Sequence, residues 1–154
     1  MPPQRERLRQ SRPVLVLVLL LVALGLLLTQ CPANRDGMPG QLAQAMEETT
    51  GAARSGALAL DLWLQHRSTA QLTSVQVADA RDEVVKAYQG IADLKAEDPA
   101  DIARQQMLTA AMTTIIGWLN AAGATLRGFP AGAPLPVVRQ DLLSAADALE
   151  TGYR

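Results

Sequence analysis

The sequence predicts a mainly α-helical protein, an N-terminal membrane segment followed by a small up-and-down four-helix bundle. Three observations carry this expectation. Val14 to Leu28 (VLVLVLLLVALGLLL) has no polar atom in any side chain. Aromatic residues are only 3% of a chain that is 49% apolar. A core must then be built from Ala, Leu, Val, Ile and Met, which suits packed helices better than strands rich in aromatic and β-branched residues. Between about residues 69 and 126, apolar positions recur in steps of three and four, the period of a helix with one buried face.

Residues 1–12 form a basic flank in which Arg5, Arg7, Arg9 and Arg12 are opposed only by Glu6. Positive flanks stay cytoplasmic, so residues beyond Cys31 are expected to face outward. Residues 13–30 number 18, about 27 Å at the helical rise, short but sufficient for the hydrocarbon core. Three readings of this segment compete. It is a single-pass signal anchor, a signal peptide cleaved after Ala33, or a lipoprotein signal. Leu28-Thr29-Gln30-Cys31 resembles the bacterial lipobox except at Gln30, where a small residue is expected. Cys31 is thereby a candidate for lipid attachment. Two of the three readings keep the protein at a membrane.

Taking the four arginines and Glu6 from whole-chain totals of 14 basic and 15 acidic residues leaves 10 and 14, a net charge of −4 beyond the apolar run. Nucleic-acid affinity rests on neutralising phosphates, so no nucleic-acid partner is expected. Cys31 is the chain's one cysteine and His66 its one histidine. A disulfide within the chain and a Cys-based metal site are therefore excluded. Lys86 and Lys95 are the only lysines, a usage that points to GC-rich codons.

Residues 31–40 (CPANRDGMPG) read as a linker by their prolines and glycines. The extracytoplasmic bundle is expected over 41–154. Its first helix is read over about Gln41 to His66. Ala57 to Leu64 alternates like a strand but lacks β-branched residues, while Glu47, Arg54, Asp61 and Ser68, seven apart, form one narrow polar stripe on a helix. The second, about Thr69 to Ala96, has an inward seam of Ala70, Thr73, Val77, Ala80, Val84, Ala87, Ile91 and Leu94. Asp79, Asp82, Glu83, Lys86 and Asp93 lie away from it, with Asp82 and Lys86 placed to pair at i,i+4. The third opens at Asp98-Pro99, a cap followed by proline at the first helical position. Leu108, Met112, Ile115, Leu119, Ala122 and Leu126 form its seam. From Gln105 to Leu126 there is no charge, so a second membrane span competes with a bundle helix. Gln105, Gln106, Asn120 and the threonines favour the bundle. After a Gly/Pro-rich connection (123–136), a last helix over about Val137 to Glu150 turns Val138, Leu142, Ala145 and Leu149 inward.

The chemical inventory is thin. His66 has Asp61 as nearest acid, five residues away on another face, and a helix-end role suits it better than catalysis. Asp79, Asp82 and Glu83 read as a solvated face before a cation site. Trp63 and Trp118 each stand among small residues: Ala52, Gly56 and Ala59 in one helix, Thr114, Gly117 and Ala121 in the other. Either the rings fill space where helices approach closely, or they wall a ligand pocket inside the bundle. Phe129 is a plug over the bundle end or an exposed contact. No nucleophile elbow, phosphate loop, zinc spacing or dinucleotide fingerprint occurs, so no enzyme, cofactor or metal is expected.

In general form the chain resembles outward-facing envelope proteins of GC-rich bacteria. The function expected is a structural or protein-interaction module of the envelope, with another envelope protein as partner. The alternative is a small-ligand-binding or sensory bundle with Trp63 and Trp118 at its pocket. Oligomeric state is not legible in the sequence.

Overall fold

Four helices account for 84% of the described residues, and no strand occurs among them. The structure, a computed structural model, describes residues 37–129 and 132–153. The basic flank, the apolar segment and Cys31 lie outside the described residues. The helices are α1 (Met38–Leu64), α2 (Ala70–Ala92), α3 (Pro99–Leu126) and α4 (Leu135–Tyr153).

α1 begins three residues earlier than composition suggests, inside the stretch read as linker. Pro39 falls in its first turn, where a missing N–H costs nothing because first-turn donors have no intrahelical partner. Pro136 plays the same part in α4. The α2 N-cap is Thr69, whose hydroxyl accepts from the Leu72 amide at 3.2 Å. At α3, Asp98 accepts from the Ala100 amide at 2.7 Å and Pro99 opens the helix, as read from sequence. Asp101 sits buried in the first turn of α3, 3.1 Å from the Arg104 guanidinium.

α1 and α3 end alike, and the comparison shows what His66 does. At the close of α3, Gly128 has φ 88°, its amide reaches the Thr125 carbonyl at 3.0 Å, and the Phe129 amide reaches Ala124 at 2.9 Å. At the close of α1 the same pair of bonds runs from His66 to Trp63 (2.9 Å) and from Arg67 to Leu62 (2.8 Å). Here the left-handed residue is His66, at φ 57°. This is the helix-ending motif that glycine usually serves, so His66 carries a Cβ where none is favoured. His66→Gly is expected to raise stability by about 0.5–1 kcal/mol, seen as a higher urea midpoint at unchanged slope. A lower midpoint would mean that the imidazole stabilises the fold.

Neighbouring helices run antiparallel. Residues 54 and 61 of α1 meet 150 and 139 of α4, and Gln105 near the start of α3 meets Ile91 and Leu94 at the end of α2. α1 also touches α3 across one diagonal, whereas α2 and α4 do not meet. The short diagonal has a sequence cause. Gly56 is buried, and a Cβ built there would stand 2.7 Å from Leu119 Cδ2, 3.5 Å from Ala80 Cβ and 3.8 Å from Leu142 Cδ1. All three other helices converge on that one missing side chain.

The core follows the stripes read from sequence along their middles but not at their ends: Ala70, Leu126 and Leu94, the last lying beyond the end of α2, are only half-buried. In α2, Thr73, Val77, Ala80, Val84, Ala87 and Ile91 are buried. In α3, Leu108, Met112, Ile115, Leu119 and Ala122 are buried. In α4 the stripe departs by one residue. Ala146, not Ala145, is fully buried with Val138, Leu142 and Leu149. Both alanines are small enough for the seam, so residue type did not separate them.

Candidate functional site

The widest clefts lie on the outside of the bundle, and the composition of α1 explains them. Ala45, Ala52 and Ala59, seven apart, are buried along α1 and face Ala80 and Ala87 of α2. Short side chains on both helices leave a groove between them. Its middle, about 460 Å³, is lined by Glu47, Glu48, Gly51, Ala52, Ser55, Glu83 and Lys86. Clefts of about 300 and 290 Å³ continue it in both directions, sharing Glu48 and Lys86 on one side and Ser55 and Glu83 on the other. At the far end Leu58 is 59% exposed.

The groove is apolar along its floor and carries Glu47, Glu48, Asp79 and Glu83 on its rims against Lys86. Among the described residues no group of three or more His, Cys, Asp or Glu is arranged to hold a metal ion. Ser55 has no histidine beside it in the cleft. The arrangement offers shape and charge, which is equipment for binding.

Trp63 and Trp118 are both half-buried and packed against the core. Neither lines any of the five main clefts. The gap that the small residues leave beside Trp63 is filled by Leu119 at Gly56, while Gly117 beside Trp118 faces open space. His66 and Phe129 are exposed, Phe129 at 72%. Asp79, Asp82 and Glu83 are exposed on α2, and Asp82 pairs with its neighbour Arg81, not with Lys86.

Two residues of the polar stripe of α1, Arg54 and Asp61, meet charged partners on α4. Arg54 reaches Glu150 at 2.7 Å and Asp147 at 3.0 Å, and Asp61 receives Arg139 at 2.9 Å. Those residues flank the α1–α4 contact and set its antiparallel register. The Glu150 carboxylate, and after it Asp147, hold the Arg54 guanidinium above its ordinary pKa. α1 is also less enclosed than a narrow stripe implies, since Glu48, Gly51, Ser55 and Leu58 are exposed as well.

At the end of the bundle where α1 begins, a polar cluster joins three helices. The Tyr153 hydroxyl donates to the Pro39 carbonyl at 3.2 Å, and Arg104 lies over the Tyr153 ring at 5.8 Å. Gln105, expected at a hydrated edge, is half-buried and donates to the Ile91 and Leu94 carbonyls at 2.6 and 2.9 Å. The Ile91 carbonyl also accepts from the Leu94 amide at 3.3 Å, so the Gln105 amide group ties the turn that closes α2 to α3. Tyr153 and Gln105 are structural residues that periodicity alone passes over, because their partners lie far away in sequence.

No family model, no curated protein and no solved structure matches this chain.

Proposed function

We propose that the chain is a membrane-anchored, extracytoplasmic helical protein of the bacterial envelope, serving as a structural or protein-interaction module. The observation that carries this reading is the order of parts. Four arginines and an uninterrupted apolar run stand at one end, and a helix begins at Met38, ten residues after the run closes at Leu28. The acidic, Ala-floored groove between α1 and α2 supports a binding role for the bundle, with another envelope protein as partner. The alternative, a bundle that takes a small ligand between Trp63 and Trp118, draws no support from the main clefts, which those residues do not line.

The mode of anchoring is tested by fractionating the full chain and its Cys31→Ser variant. The signal-anchor reading expects both in the membrane pellet, because the apolar run does not depend on the thiol. Release of the variant alone would assign the anchoring to a lipid on Cys31. Wild type in the soluble fraction would overturn the membrane reading altogether.

A further inference from the structure

We propose that Arg81 and Arg127 frame a binding site for a phosphate group, in the cleft between α2 and the end of α3. The cleft is small, about 50 Å³, and is lined by Ser74, Val77, Arg81, Leu119, Asn120 and Arg127. That is room for one compact oxyanion and not for a larger ligand. No carboxylate lines it. Two cations thus border one hollow whose wall holds no countercharge, and an anion between them relieves their repulsion. The helix ends near the cleft carry opposite dipole charges, α2 beginning and α3 closing there, so the arginines set the local field.

Arg127 is the less expected of the two. The residue is exposed, yet its guanidinium folds back over its own helix instead of extending into water. A Cβ built at Gly123 would stand 3.2 Å from Arg127 Nη1 and 4.0 Å from its Cζ and Nη2, and these are the nearest three atoms. The missing side chain of Gly123 is therefore the seat of this guanidinium. Among the described residues, Arg54, Arg104 and Arg139 each meet a carboxylate of the bundle, and Arg127 meets none. Arg81 spends Nε and Nη2 on one oxygen of Asp82, which leaves Nη1 open. Ser74 and Asn120 make no side-chain hydrogen bond among the described residues, so their donors are open as well. Guanidinium groups hold phosphate by paired N–H bonds, and hydroxyl and amide groups complete such sites. Four donor side chains on two helices suit the tetrahedral oxygens of a phosphate better than the two coplanar oxygens of a carboxylate. A lipid headgroup and free phosphate share this chemistry.

The test follows the melting temperature of the full chain in dodecyl maltoside micelles against inorganic phosphate, with potassium chloride at equal ionic strength as reference. Binding to the folded chain raises the melting temperature, and the concentration dependence gives Kd. Arg127→Gln and Arg81→Gln should each weaken binding about ten-fold or more, the usual effect of losing a charge-assisted hydrogen bond. Arg67→Gln, at an exposed arginine outside the cleft, removes the same charge and should leave Kd within about two-fold. Gly123→Leu keeps every charge and fills the cleft, so it should abolish the phosphate effect with helicity retained. Micelles doped with phosphatidylglycerol, titrated alike, separate the sources. A response at lower lipid than phosphate concentration, lost in Gly123→Leu, assigns a headgroup, and the reverse order assigns free phosphate. No response to either probe, equal losses in Arg67→Gln and Arg127→Gln, or binding that survives Gly123→Leu would each overturn the proposal.

Discussion

Replacing Val84 by aspartate is expected to abolish cooperative folding or lower stability by about 4 kcal/mol or more, out of a typical total of about 5–15 kcal/mol. Val84 is 0% exposed and lies midway along the buried stripe of α2, between Val77 and Ile91. A carboxylate there has no partner among Thr73, Val77, Ala80, Ala87 and Ile91. It must either ionise in an apolar medium or take up a proton at neutral pH, and both cost free energy. Asp79→Ala, on the exposed side of the same helix, should change stability by less than about 0.5 kcal/mol. Chemical denaturation of the pair checks the face assignment. Similar losses at both positions would refute it.

The second large effect is expected at Gly56. Gly56→Val should destabilise by about 3 kcal/mol, because even its first carbon would overlap the Leu119 methyl at 2.7 Å, and its branches would press toward Ala80 and Leu142. The helix propensity gained on replacing glycine, about 1 kcal/mol for alanine and less for valine, offsets only part of this. Gly117→Ala is the internal control. Its Cβ meets nothing within 4 Å, so the propensity gain stands alone and stability should rise by about 0.5–1 kcal/mol. If both substitutions raise the melting temperature, α1 and α3 are not held together at Gly56.

These two positions also show what was legible in the sequence. Val84 was readable because its neighbours at three and four residues repeat a pattern that only one helical face can produce. The buried stripes of α2 and α3, the Asp98 cap and the four-helix count followed from such local rules. The sequence offers Gly56 as space for the Trp63 ring, whereas Leu119 of another helix fills it. Which side chain enters a gap is decided by the angle and offset between helices, and neither is written in one helix alone. The same limit applies to Arg54 and Asp61. Their spacing marked a polar stripe, but its partners, Asp147, Glu150 and Arg139, lie on α4. The sequence places His66 at a helix end, yet its left-handed backbone depends on how the chain turns toward α2. The groove between α1 and α2 has its signal in the sequence too: alanines seven apart on α1 imply a shallow wall wherever that face meets another helix.

Helix α3 decides between the proposed arrangement, in which one N-terminal segment holds a water-soluble bundle at the membrane, and a chain with two spans. Among the described residues it is the one helix long and apolar enough to cross a bilayer. Its buried stripe nevertheless joins the shared core, and Gln105 and the threonines spend their donors on backbone carbonyls within the bundle. Burial of Leu108, Met112, Ile115 and Leu119 contributes roughly 1.5–3 kcal/mol each relative to exposure in water, which favours folding of the bundle without lipid. The decisive measurement is the behaviour of residues 32–154 expressed without the apolar run, followed by sedimentation and circular dichroism in detergent-free buffer. The expected result is a soluble, strongly helical fragment that unfolds in one cooperative step. A fragment that dissolves only in detergent would contradict it, and would make α3 a second membrane span.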